Sequence, residues 1–142
     1  MINVSSDSEL KPMEYWSMEK YQRDYDKRER LLLGHGEYNG YEWLIVSYCS
    51  HPCAYIVIDE HTYGYKKNDF ECGMLDVHGG VTYSNWGLHE WVDQNEWVIG
   101  WDYNHLGDYS PISGLQGGGR KYSTVEIYED VKDAINQLRD MP

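Results

Sequence analysis

Three stretches of this 142-residue chain gather side chains able to hold a metal ion or move a proton: CSHPC at 49–53, DVHGG at 76–80 and DYNHLGD at 102–108. In the first, Cys49, His51 and Cys53 alternate, which puts them on one face if the chain is extended there. In the second, His78 stands beside Gly79 and Gly80, a pair that lets the backbone approach something closely. In the third, Asp102 and His105 are near enough in one turn to bind a single ion. Imidazole nitrogen, thiolate sulfur and carboxylate oxygen all suit a tetrahedral zinc shell. The same residues could instead do acid–base chemistry or tie down a turn, and no CxxC or HxxxH pair decides between these uses.

Other constellations are thinner. DVH resembles the Asp-x-His that opens metallophosphoesterases, but the Asn-His and later His motifs of a two-metal centre are missing. Ser84 and Ser110 lie in no nucleophile elbow. Cys53 near His51 or His78 would make a thiolate–imidazole pair, with nothing to supply an oxyanion hole. GLQGGGRK at 114–121 lacks Walker spacing and reads as a flexible connection. His35, His61 and His89 read as loop or surface residues. Binding, rather than catalysis, is the expectation.

These stretches need a scaffold, and the pattern supplies an α+β one. Residues 1–11 read as a flexible polar leader. Residues 12–33 are rich in helix formers, with Pro12 in an acceptable first-turn position and Gly34 as a stop. YEWLIVSY (41–48) and CAYIVIDE (53–60) are strands of β-branched and aromatic residues, with Pro52 interrupting a continuous ladder between them. GMLDVHGGVTYS (73–84) reads as one strand, or as two short ones bent at Gly79–Gly80. EWVIGWD (96–102) is a further strand, so 41–102 forms a mainly antiparallel sheet of about four or more strands. STVE at 123–126 is a capping box. Behind it Ile127, Tyr128, Val131, Ala134, Ile135 and Leu138 mark one face of a helix over 123–140. The length suits one domain, 1–142, with a real core.

Charge narrows the partners. The net charge is −12, and residues 31–119 hold 12 acidic residues against only Lys66 and Lys67. Direct nucleic-acid binding needs clustered Lys and Arg, so it is disfavoured. A basic protein partner is favoured, because such a field speeds encounter with the opposite charge. Asp59, Glu60, Asp69 and Glu71 are the candidate contacts, clustered in DEHTYGYKKNDFE. The 14 Tyr and 6 Trp beside a single Phe serve either a contact surface or core and cross-strand pairs. No apolar run is long enough to span a membrane. The opening MINVSSDSELK has neither the basic nor the apolar region of a secretory signal, and three cysteines argue against a disulfide framework. A reduced, cytosolic protein is expected.

HPCAYIVI, LDVHGGVTYS, EWVIGWDYNHLGDYSP and KYSTVEIYEDVKDAINQL, in that order, resemble a family of small phage and prophage proteins over roughly residues 51–138. That family carries His-x-Cys-Gly-Tyr, then His-Gly-Gly-Leu-Thr-Tyr/Phe-Ser, then Trp-Trp-x-Gly-Phe-Asp-Cys-x-His-x-Gly-Asp, and a Tyr-Arg-Thr lead into a final helix. Its motif residues map onto His51, Cys53, His78, Gly79, Gly80, Asp102, His105, Gly107 and Asp108. Two positions depart: Tyr103 replaces the family's Cys, and Ala54 its Gly. The resemblance implies a zinc (Zn2+) site of His51, His78, Asp102 and His105, with Cys53 or Asp108 as replacements and Asp108 otherwise capping its loop. The chain also resembles type II-A anti-CRISPR proteins of the streptococcal-phage kind. That likeness implies inhibition of Cas9 in the host cytoplasm: an acidic surface blocks nucleic-acid loading, and the zinc is structural. Two further expectations are a counter-defence sponge sequestering a nucleotide immune signal, with Tyr and Trp stacking on bases and the GGGRK loop taking phosphate, and a metal-dependent hydrolase.

Overall fold

Alternation of side chains sets the sheet. In β3 (Pro52–Ile58), Ala54, Ile56 and Ile58 face one side, while Cys53, Tyr55 and Val57 face the other. β5 (Val92–Asp102) alternates the same way, with Ile99 and Trp101 on the first side and Val98 on the second. The structure, a computed structural model, describes residues 9–112 and 119–142. β1 (Leu31–Tyr38), β2 (Tyr41–Ser47) and β4 (Tyr83–Leu88) complete a five-stranded antiparallel sheet of order β1-β2-β3-β5-β4. Two helices, α1 (Met18–Asp24) and α2 (Thr124–Asp140), make the fold α+β.

α2 closes one face of the sheet. Ser123 accepts from the Glu126 amide and Glu126 from the Ser123 amide, so the capping box forms. Ile127, Val131, Ala134, Ile135 and Leu138 then bury against Leu33, Trp43, Ile45, Ile56 and Trp101. Tyr128 stays partly exposed, with its ring 4.7 Å from that of Trp43. The opposite face carries a smaller cluster of Leu44, Val46, Tyr55, Leu88, Trp91, Val92 and Val98. Among the described residues no helix is long and apolar enough to cross a membrane. All three cysteines are free and buried.

The first helix is much shorter than the 12–33 expected. Ser17 is the N-cap, accepting from the Lys20 amide, so α1 starts at Met18. Before it, the Trp16 amide is drawn to the Cys49 carbonyl and the Tyr15 hydroxyl to the Tyr122 carbonyl, which keeps 12–17 out of a helix. After α1 a 3-10 turn, Tyr25–Lys27, leads into β1. Gly34 is therefore no helix stop: it lies inside β1, and the turn that matters is Asn39–Gly40, where both residues have positive φ and close a tight hairpin to β2. Leu10 and Lys11 are anchored: the Lys11 amide donates to Leu33 and its carbonyl accepts from Thr124.

The stretch 73–84 is the second correction. Only its end joins β4; a 3-10 turn, Phe70–Cys72, precedes it, and 73–82 is loop and turn, with Gly79 and Gly80 both at positive φ. Two successive left-handed residues cannot continue a strand. Pro52, expected to interrupt the ladder, opens β3 opposite Ser47. His35, read as a loop or surface residue, is buried within β1.

Five tyrosines, Tyr15, Tyr48, Tyr55, Tyr83 and Tyr103, titrate above the ordinary 10.0, in each case chiefly because burial penalises the phenolate. Tyr15 and Tyr48 are pushed up to about 12. Above pH 10 the unfolded chain releases protons that the folded chain keeps, so stability is full below that pH and falls as pH rises towards 12. Thermal melts across this window should show a falling Tm that tracks tyrosinate absorbance; a flat Tm would contradict the assignment.

Candidate functional site

The three chemistry-bearing stretches meet at one end of the sheet. Antiparallel pairing of β3 with β5 places Cys53 directly opposite Asp102. His51, just before β3, and Thr82, just before β4, stand beside them, and together with Arg28, Tyr48, Tyr55, Tyr83 and Trp101 they line a cavity of about 270 Å³. Behind Asp102 lies the turn that carries His105 and Asp108, and against that turn lies His78.

The polar groups are arranged in pairs. Asp108, only 4 % exposed, accepts from His78 Nε2 at 2.7 Å and from the His105 amide at 3.0 Å. Asp102 accepts from the Asn104 amide and from the Thr82 hydroxyl, one on each oxygen. Its Oδ1 also lies 3.0 Å from His105 Nε2, an ion-pair distance, but the imidazole meets it at an angle that makes no hydrogen bond. Thus His105 Nε2 is a buried nitrogen without a hydrogen-bond partner. The rings of His78 and His105 are 5.9 Å apart.

Tyr103 supports His78. Its ring stacks on the imidazole at 4.6 Å and 14°. Its hydroxyl donates to Asp130 at 2.6 Å and accepts from Trp101 Nε1, so it is tied to α2. Burial, and then the Asp130 carboxylate, hold the phenol protonated well beyond its usual range. Tyr122 meets the His78 ring edge-on at 5.0 Å and packs against Tyr103 at 4.9 Å, so the three rings form one cluster.

Gly79 explains why a glycine pair follows His78. A Cβ at Gly79 would lie 2.2 Å from the His105 ring, and its φ is +71°. Gly79→Ala should therefore push His105 off Asp102 and strain the backbone, costing about 2 kcal/mol. Urea denaturation checks the magnitude, and the His105 ring resonances should shift; a stability within error of wild type would refute the contact.

His51 and Cys53 belong to the cavity. His51 Nδ1 shares a hydrogen bond with Ser50, and its ring stacks on Tyr48. Burial lowers its pKa, opposed by the Asp102 carboxylate. The Cys53 thiol is pushed far up, first by burial and then by Asp102, so it is no thiolate at neutral pH. Cys49 leaves this group: positive φ at Cys49 breaks the extended run, and its sulfur donates to the Glu29 carbonyl. The expected shared face of Cys49, His51 and Cys53 does not form.

The donor types suit zinc, and the orphan His105 nitrogen is the kind of atom a metal would take. Yet the carboxylates and imidazoles stand in pairs, and among the described residues no three His, Cys, Asp or Glu groups gather as a metal-holding cluster. No family model, no curated protein and no solved structure matches the chain.

The acidic candidates separate into two places. Asp59 and Glu60 line a groove of about 750 Å³ with Glu42, Glu96 and Trp97, where Arg139 is the one basic side chain. Asp69 accepts from Ser84, and Glu71 caps its own turn through Asn68. Glu60 and Glu71 meet again in a shallow depression beside Lys67. Of GLQGGGRK, 114–118 lies outside the described residues; Arg120 pairs with Glu126 and its amide donates to Gly107.

Arg28, Thr82 and Tyr103 were not singled out for the site by sequence. Thr82 lies inside the HGGVTYS motif, so its place there was available. Arg28 sits in a run of mixed charge that gives no local sign of it.

Proposed function

We propose that this chain is a phage counter-defence protein that acts by binding, inhibiting a type II-A Cas9 by covering a basic surface that nucleic acid must reach. The observation that carries the reading is the groove that places Glu42, Asp59, Glu60 and Glu96 together around Trp97, with Arg139 as the basic side chain on its lining. It lies within the part of the chain that holds almost the whole negative excess. An acidic groove with an aromatic floor suits Lys and Arg side chains, which bring both charge and an apolar stem. Purified Cas9 mixed with near-equimolar protein should lose target cleavage, and the inhibition should weaken as salt screens the attraction. Full cleavage at large excess removes the proposal. Charge reversal by Glu60→Lys, at an exposed carboxylate, should weaken inhibition clearly while the melting temperature holds.

A structural zinc belongs to the same proposal, held by His51, His78, Asp102 and His105, with Cys53 or Asp108 in reserve. Three segments distant in sequence stand around one sheet end, and a metal there would clamp them. His78→Ala and His105→Ala should each release the metal from the purified protein and lower Tm together. Elemental analysis decides: metal retained while Tm falls would show that the imidazole only packs.

A further inference from the structure

The cavity beside Asp102 has walls that the Cas9 reading does not use. Tyr48, Tyr55, Tyr83 and Trp101 supply aromatic surface, and Tyr55 and Tyr83 hold one another edge-to-face at 5.4 Å. Tyr48 is fixed by hydrogen bonds to Tyr55 and His89. Arg28 is the one lasting cation on the lining; it rests on the Tyr25 and Tyr21 rings, and among the described residues it forms no ion pair. Arg28 stands in a run of mixed charge, YQRDYDKRER, and a guanidinium there without a carboxylate partner is an opening for an anionic group. Asp102 contributes the opposite need. Oδ2 accepts only from the Thr82 hydroxyl and keeps a lone pair, while Oδ1 accepts from the Asn104 amide and lies 3.0 Å from His105 Nε2 without a hydrogen bond between them.

We propose that this cavity binds a guanine mononucleotide, the base donating to Asp102 between the tyrosine rings and the phosphate reaching Arg28. Guanine is the base whose pairing edge offers two adjacent N–H donors, N1–H and the 2-amino group, the pattern that complements a carboxylate. Adenine turns an acceptor, N1, towards the same place and is repelled. The cavity volume of about 270 Å³ suits one nucleotide and excludes a dinucleotide from full enclosure. One phosphate is also the most anionic charge that a single arginine can offset in this field. The site is separate from the acidic groove but shares Asp102 and His51 with the proposed zinc shell, which is why the protein is prepared in chelator for the test.

Calorimetric titration of the full chain, prepared in chelator, with GMP, guanosine, AMP, inorganic phosphate and free tryptophan tests this. GMP should bind about tenfold tighter than guanosine, the contribution of one charge-assisted phosphate contact. Arg28→Gln should bring GMP down to the affinity of guanosine without moving Tm. Asp102→Asn should weaken guanosine about tenfold or more and erase the preference over AMP. No heat with GMP at millimolar concentration overturns the proposal, as do equal binding of AMP, displacement of GMP by phosphate at equal concentration, or tighter binding of tryptophan. GMP binding by a protein that leaves Cas9 untouched would remove the Cas9 reading and keep this one; inhibition without GMP binding would do the reverse.

Discussion

Asp108→Ala is expected to lower the free energy of unfolding by about 3 kcal/mol, a large share of the total that a domain of this size has. The carboxylate is almost fully enclosed and serves two donors at once, His78 Nε2 and the His105 amide. It also sits where its own amide donates to the His105 carbonyl and where 107–109 pairs with Arg120, so it ties the turn to the segment that enters α2. Removing the side chain leaves the half-buried His78 imidazole and the His105 amide without their acceptor, and charge-assisted bonds contribute about 1.5–3 kcal/mol each. Asp108→Asn keeps one acceptor oxygen and should cost about half as much. Urea titration of both variants orders them; an alanine variant within about 0.5 kcal/mol of wild type would mean that Asp108 holds nothing, and equal costs would place the effect in its charge and not in its acceptor oxygen. The effect reaches function, because His105 is aligned by Asp108 through its backbone and flanks Asp102 through its side chain.

What the sequence disclosed follows from how local each signal is. α2 was legible almost to the residue because its capping box, its apolar stripe and its length all act within the segment. The strands β2, β3 and β5 were legible because β-branched and aromatic runs bury on both faces. The long N-terminal helix was not: Leu31–Leu33 have helical propensity, but Asn39–Gly40 folds them back on Val46 and Ser47, and hairpin pairing outweighs a few tenths of a kcal/mol per residue. The stretch 73–82 failed for the converse reason, since strand-forming residues cannot overrule two left-handed glycines.

The site was legible as a meeting place and not as a set of pairings. That residues near 51, 78 and 105 come together was read from motifs; that His78 turns to Asp108, and His105 to Asp102, depends on Tyr103 stacking from one side and on Gly79 leaving room on another. Arg28 reaches the cavity only because the 3-10 turn at Tyr25–Lys27 ends the short helix and redirects the chain. No spacing rule carries that information.

Gly100→Ala should cost about 3 kcal/mol, although alanine at a mid-strand position otherwise gains over glycine. Gly100 pairs with Tyr55 on one side and Tyr83 on the other, and the two rings close over it. A Cβ there would lie 2.4 Å from Tyr55 Cδ1 and 2.7 Å from the Ala54 carbonyl oxygen. Neither neighbour yields cheaply. Tyr55 is buried and its hydroxyl is bonded to Tyr48, and Ala54 belongs to the central strand. At about 2–4 °C per kcal/mol for a chain near this length, Tm should fall by about 10 °C. A double-mutant cycle separates the two contacts. In a Tyr55→Ala background the ring is gone, so Gly100→Ala should cost only what the Ala54 oxygen imposes, about half of the original penalty. Equal costs in the two backgrounds would place the strain in the backbone alone and would deny that Gly100 exists to seat the ring. If the ring is the cause, the same substitution must also spoil the cavity, because Tyr55 and Tyr83 are its walls: stability lost through Gly100 and ligand affinity lost through that wall would then be one displacement measured in two ways.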